Sequence, residues 1–222
     1  MAWDKILALT CAFLFVRGAA FAASVDVIVT DSDGKPAAGA VVSLAPVEGA
    51  APEPSRLPTE AIIDQRHQMF IPLTVIVRRG GHVVFTNNDT TMHQVYSFSP
   101  IKQFEFEIDQ GHKSEPVVFD KPGVAAIGCN IHDNMLAFVY VADSPWTAMT
   151  DGEGRAHIAN VPNGGYTASA WHPRLAPGVK WPTAPVKVAG DSVSLSLSAP
   201  LMADTMSGRH PVSTGGTHGE GL

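Results

Sequence analysis

One stretch in the second half of the chain decides how the rest is interpreted, and it reads CNIHDNM (129–135). Within it a cysteine, a histidine and a methionine follow one another at intervals of three residues, as Cys129, His132 and Met135. A thiolate, an imidazole and a thioether are soft or borderline ligands for a transition metal. The stretch therefore predicts a metal site to which one short loop contributes three side chains.

A second imidazole is expected from another part of the chain, and His93 is the best candidate. It ends the loop NNDTTMH (87–93), which follows an apolar run. Two histidines and a cysteine with a weak axial methionine form the ligand set of blue-copper electron-transfer sites. We therefore predict copper as the cofactor, bound by His93, Cys129, His132 and Met135. The alternative for Met135 is a core side chain, the more common role of a single methionine.

The N-terminus has the features of a secretory signal. Lys5 precedes an apolar core at 6–16, and Ala20-Phe21-Ala22 is a small-x-small cleavage site. The apolar run is too short to span a membrane, so a cleaved signal is predicted and no membrane anchor. A lipoprotein signal at Cys11 fits less well. Cleavage leaves Cys129 as the only cysteine of an exported, periplasmic protein, without an intramolecular disulfide partner.

The charge balance excludes some classes of partner. Of the 15 basic and 21 acidic residues, two basic and one acidic residue leave with the signal, so the mature chain keeps 13 basic and 20 acidic residues. An acidic surface argues against binding to nucleic acid or to an anionic membrane.

Short valine-rich segments separated by turn residues predict an all-β protein. The chain holds 20 glycines and 17 prolines, which lie largely between these segments, and it has no convincing amphipathic helix. The predicted strands are 24–30, 40–44, 69–78, 82–86, 94–98, 103–108, 116–119, 124–127, 135–141, 167–171, 186–188 and 193–197.

Residues 62–142 resemble the cupredoxins, small Greek-key β-sandwiches that bind copper. In that family one histidine comes from a mid-chain loop, and the cysteine, the second histidine and the methionine come from a late loop, which is the order found here. The ligand spacing is similar to the short loop of amicyanin. The phrases HQVYSFS (93–99) and GCNIHD (128–133) look like those of exported cupredoxin-like proteins called methylamine utilisation proteins.

The resemblance also implies details around the ligands. Gln94 occupies the position where an Asn links the two ligand loops in cupredoxins, and Asn130 is its candidate partner. Two prolines that usually precede the histidine ligands are replaced by Met92 and Ile131.

The outer segments resemble a prealbumin-like sandwich of the carboxypeptidase regulatory type, on the motifs VIVTDSDGKP (27–36) and VPNGGY (161–166). Because the copper-like segment splits this pattern, we predict a cupredoxin sandwich inserted into a prealbumin-like sandwich. The predicted parts are a signal peptide at 1–22, the outer domain at 23–56 and 144–200, the cupredoxin domain at 57–143, and a disordered tail at 201–222.

The predicted function is single-electron transfer in the periplasm, with His132 as the exit towards a transient redox protein partner. The alternative is a copper carrier or an accessory module for assembling another periplasmic enzyme. A third possibility is a structural sandwich with a degenerate site. An enzyme is not predicted, because the His-x-His pairs common in multicopper enzymes do not occur and no hydrolytic motif is recognisable.

Overall fold

The computed structural model describes residues 22–47, 56–190 and 192–204. These residues form strands and turns with no helix, which confirms the predicted all-β class. The strands of the described ranges are β1 (Ala22–Thr30), β2 (Val41–Pro46), β3 (Glu60–Arg66), β4 (Met69–Ile71), β5 (Thr74–Arg78), β6 (Gly81–Asn87), β7 (His93–Ser99), β8 (Lys102–Ile108), β9 (Val117–Phe119), β10 (Gly123–Cys129), β11 (Leu136–Ala142), β12 (Thr147–Met149), β13 (Arg155–Pro162), β14 (Gly164–Trp171), β15 (Thr183–Val188) and β16 (Val193–Ser198).

The middle of the chain forms one β-sandwich, called here the inner sandwich. Its sheets have the strand orders β5-β11-β10-β7-β8 and β4-β3-β6-β9. The β5–β11 and β3–β6 pairs are parallel. Alternate side chains of each sheet point inward and enclose a hydrophobic core that includes Phe70, Phe85, Phe119 and Ile127.

The flanking segments form the outer sandwich. Its sheets have the orders β13-β1-β16 and β12-β2-β14-β15, and β1 pairs in parallel with β16. A separate core contains Val27, Leu44 and Tyr166. The inner sandwich is therefore inserted between β2 and β12 of the outer one.

Strand β11 contributes side chains to both hydrophobic cores. Its residues Val139 and Val141 belong to the inner core, whereas the outward-facing Phe138 and Tyr140 pack on the outer sandwich. The ring of Trp171 lies 5.3 Å from that of Phe138 and 6.0 Å from that of Tyr140. This aromatic cluster joins the two sandwiches.

Some observed strands differ from the predicted ones or were not predicted. The predicted strand 69–78 is divided into β4 and β5, because Pro72 has no N–H for a ladder and the chain crosses there to the other sheet. In β3 the exposed Ile62 precedes the buried Ile63, and Gln65 is buried, so the alternation of apolar and polar residues is hidden. Strands β12 and β13 were also missed.

Parts of three predicted segments lie outside the described residues. These are residues 1–21 of the signal, 48–55 between β2 and β3, and 205–222 of the tail. At the start of the predicted tail, Leu201 forms a bridge with Leu175, and the N–H of Met202 donates to the carbonyl of Arg174. Over the described ranges no helix of the protein is long and apolar enough to cross a membrane.

Candidate metal centre

The loop before His93 is braced by one buried asparagine. The side-chain amide of Asn87 donates to the carbonyls of Thr91 and Ile108, both at 2.8 Å, and its Oδ1 accepts the N–H of Asp89 at 3.0 Å. These bonds fold the loop between β6 and β7 into a fixed shape. His93, the first residue of β7, is thereby placed independently of any metal.

His93 is fully buried. Its Nδ1 lies 3.7 Å from Sγ of Cys129, and its Nε2 lies 3.1 Å from Oδ2 of Asp89. Burial lowers the pKa of His93, although the Asp89 carboxylate acts in the opposite direction. A neutral ring that donates from Nε2 to Asp89 leaves the lone pair of Nδ1 directed towards Cys129.

Asp89 holds the ring of His93, a role that was not predicted from the sequence. Its carboxylate accepts the backbone N–H groups of Gln68 at 2.7 Å and of Thr90 at 2.8 Å, besides the ring N–H at Nε2 of His93. Burial raises the pKa of Asp89, but these hydrogen bonds outweigh it, and the net pKa lies below the ordinary value. An acidic residue four positions before a candidate ligand in a short loop was the available signal.

Cys129 ends β10 and is 4% exposed. It pairs with Val95 of β7, and the preceding Gly128 pairs with Tyr96. A Cβ at Gly128 would lie 2.5 Å from Cζ of Tyr96, so the tyrosine ring occupies the space that a side chain would need. This close contact fixes the position of the end of β10, which carries the thiol of Cys129.

His132 follows in the turn after β10 and is half-buried. Its ring centroid lies 5.0 Å from that of His93. Its Nδ1 is buried and has no hydrogen-bond partner within the part of the chain that the structure describes. A buried polar atom without a partner is destabilising unless something binds it, and a metal ion is one such ligand.

The structure brings His93, Cys129 and His132 together, and one ligand atom from each lies within 4.8 Å of the others. Such a group could hold a metal ion. Met135 is 3% exposed and belongs to the inner core, and its N–H donates to the carbonyl of His132 at 3.1 Å. Its role as an axial ligand stays a prediction.

The predicted contact between the Gln94 amide and Asn130 is corrected by the structure. Nε2 of Gln94 and Nδ2 of Asn130 both donate to Oε1 of Glu105, at 2.9 and 2.8 Å. The direct link is instead between backbone atoms, from the N–H of Asn130 to the carbonyl of Gln94 at 3.0 Å. Glu105 was missed, since only the pairing of β7 with β8 brings it to this place.

Two described histidines outside the cluster have acidic partners. His82 binds Glu60 at 2.8 Å, and His157 binds Asp26 at 2.7 Å.

Comparison with known proteins gives structural likenesses but no match to a family model or to a curated protein. A purple cupredoxin from Nitrosopumilus maritimus is 23% identical over 37% of this chain and 99% of its own, with a TM-score of 0.34. A reduced variant of amicyanin is 16% identical over 36% of this chain and 80% of its own, with a TM-score of 0.34.

A Cu-containing nitrite reductase from Thermus scotoductus SA-01 is 22% identical, with a TM-score of 0.35. The alignment covers 44% of this chain and a quarter, 25%, of the reductase. Each of the three alignments covers less than half of this chain. The properties of the site are therefore inferred from the distances and burial of its own residues.

Proposed function

We propose that this protein binds one copper ion through Nδ1 of His93, Sγ of Cys129 and Nδ1 of His132, and that it transfers single electrons. The buried Nδ1 of His132, which has no hydrogen-bond partner among the described residues, is the observation that carries this proposal, because it lies in the same cluster as a buried free thiol and a second imidazole nitrogen.

The donor set favours copper among the common metals. One thiolate and two imidazoles are ligand types that would hold copper in an electron-transfer site, and the thioether of Met135 would be a further, weak ligand. When bound, copper would supply a one-electron couple between Cu(II) and Cu(I).

The protein's own contribution is a site that changes little between the two states. Asp89 holds the ring of His93, and the Asn87 bonds hold the loop that carries it. Cys129 and His93 are buried, which keeps water from the metal side of both ligands. A rigid, dry pocket limits the rearrangement that each electron transfer requires.

His132 is the proposed exit for the electron. Its ring is half-buried, whereas Asp133, Asn134 and Ile131 beside it are exposed, the last at 43%. A partner that touches this edge would come close to the metal through one ligand ring. We infer a periplasmic redox protein that binds transiently through a small interface, as the predicted export signal implies.

The test is a titration of the mature chain, residues 23–222, with Cu(II). We expect an intense thiolate-to-copper absorption that saturates at one copper per chain. It should disappear in Cys129→Ala and persist in His82→Gln, which removes a histidine outside the cluster. A colourless protein with full copper occupancy would contradict the proposal. Reversible copper release with very slow electron exchange would favour the carrier function instead.

A further inference from the structure

Glu105 joins the two ligand-bearing segments from outside. It lies on β8, with its side chain on the exposed face of the sheet. One of its oxygens, Oε1, accepts both the Gln94 amide at 2.9 Å and the Asn130 amide at 2.8 Å. Gln94 directly follows His93, and Asn130 directly follows Cys129.

The arrangement spans three adjacent strands behind the ligands. In the sheet order β10-β7-β8, Cys129 ends β10, His93 begins β7 and Glu105 lies on β8. The backbone bond from Asn130 to Gln94, at 3.0 Å, extends the β10–β7 pairing one residue past Cys129. A charged acceptor forms stronger hydrogen bonds than a neutral one, so one carboxylate oxygen holds both amides effectively.

We propose that Glu105 is a positioning residue that fixes the separation of Cys129 Sγ from His93 Nδ1, which is 3.7 Å. It acts through Asn130 and Gln94 and touches neither ligand. The inference rests on the proposed copper site, because its function is to stop the two ligands from moving apart when the metal changes its preferred geometry with oxidation state.

An exposed carboxylate adds little to global stability. A merely structural role for Glu105 would therefore change unfolding slightly and leave the metal spectrum unchanged. A positioning role predicts the opposite pattern, with effects concentrated on the site.

The experiment compares three variants of the mature chain loaded with copper. Glu105→Ala removes the shared acceptor. Glu105→Gln keeps an oxygen that accepts both amides. Glu107→Ala removes an equal charge from the same exposed face. The backbone of Glu107 lies opposite Gln94 in the β7–β8 ladder, but among the described residues its side chain forms no hydrogen bond to either ligand segment.

We expect Glu105→Ala to bind copper about 10-fold more weakly, in the lower range for residues that orient ligands. The copper hyperfine coupling in its EPR spectrum should change and its electron self-exchange should slow. Glu105→Gln should restore the wild-type spectrum, and Glu107→Ala should resemble wild type throughout. Equal shifts in Glu105→Ala and Glu107→Ala, or wild-type values in Glu105→Ala, would overturn the inference.

A metal-free measurement separates this inference from the proposed function. In the apo protein, the side-chain amide NMR signals of Gln94 and Asn130 should both move in Glu105→Ala, and the thiol of Cys129 should react faster with a disulfide reagent than in Glu107→Ala. If wild type gives no thiolate-to-copper absorption, the proposed function fails, and these apo signals still decide whether Glu105 positions the loops. Unchanged amide signals and thiol reactivity would overturn it.

Discussion

Nε2 of His93 lies 3.1 Å from Oδ2 of Asp89, on the side of the ring opposite to the nitrogen that faces Cys129. The carboxylate therefore selects the tautomer in which Nδ1 is free to bind a metal. The same carboxylate accepts the N–H of Gln68, so it also ties the hairpin turn between β3 and β4 to the ligand loop. The buried Asp89 therefore holds both the β3–β4 turn and the ring of a candidate ligand.

Replacing Asp89 should weaken metal binding. Asp89→Asn keeps the shape of the side chain but loses the charge, and we expect copper affinity to fall about 10-fold. The reduction potential should rise, because a nearby negative charge favours Cu(II) over Cu(I). Competition titration and voltammetry measure both. Asp109→Asn, at an exposed turn, is the control, and equal losses in the two variants would contradict a specific role for Asp89.

Removing the imidazole of His132, whose Nδ1 has no hydrogen-bond partner in the described part of the chain, should make the metal-free protein more stable. His132→Phe replaces the buried Nδ1 with carbon, and we expect the free energy of unfolding of the apo protein to rise by about 1 kcal/mol. Copper at a free concentration 100-fold above its Kd should add about 2.7 kcal/mol to wild type and nothing to the variant. Denaturant titrations with and without copper test this. His112→Phe, at an exposed turn, is the control; destabilisation of apo His132→Phe would show that Nδ1 already has a partner.

Trp171 should be a main determinant of stability at the junction of the sandwiches. It is 7% exposed and packs against Phe138 and Tyr140. Trp171→Ala should lower the free energy of unfolding by about 3–5 kcal/mol. Trp181→Ala should cost less, because Trp181 is half-buried. Urea denaturation followed by circular dichroism compares the two, and equal losses would argue against the junction as described.

His172 should make stability depend on pH. Its Nε2 donates to the carbonyl of Ala38 and its Nδ1 accepts the N–H of Arg174, both at 3.0 Å. Burial lowers the pKa of His172, and the charge of Arg174 adds to this, whereas the Ala38 bond and Asp204 oppose it. Above pH 7 the ring is neutral in both the folded and the unfolded chain, so it has no effect there.

As the pH falls through about 6.5, the ordinary histidine value, the unfolded chain takes up a proton that the folded chain resists, and the free energy of unfolding falls. His172→Gln should show a flatter profile between pH 8 and pH 5. Denaturant titrations of metal-free wild type and variant check the difference, and parallel profiles would contradict it.

A substitution in the turn between β3 and β4 should stabilise the protein. His67 and Gln68 have φ angles of 52° and 56°, a conformation that residues other than glycine and asparagine adopt at a cost. Gln68→Gly should raise the free energy of unfolding by about 1 kcal/mol, while it keeps the N–H that Asp89 accepts. Gln68→Ala, which retains the cost, is the matched control. Thermal unfolding measures both, and a gain in the alanine variant would point to another cause.

The grouping of three candidate ligands was readable from sequence because it depends on local spacing, and their role as ligands stays a prediction. Cys129, His132 and Met135 lie on one short loop, so their proximity follows from chain connectivity alone. The all-β class was equally readable, since alternation and turn residues are local signals. Strand β3 was not, because its buried Gln65 and exposed Ile62 break the alternation that identifies a half-buried strand.

The sequence by itself determined the all-β class, the nested order of the segments and the candidate ligand types. The tertiary structure decided what surrounds those ligands. It brought His93 within 3.7 Å of Cys129, left Nδ1 of His132 without a partner within the described ranges, and placed Asp89 and Glu105 behind the ligand segments. The physical reason is that strand pairing, here β7 between β10 and β8, joins residues far apart in the chain, and no local pattern encodes that register.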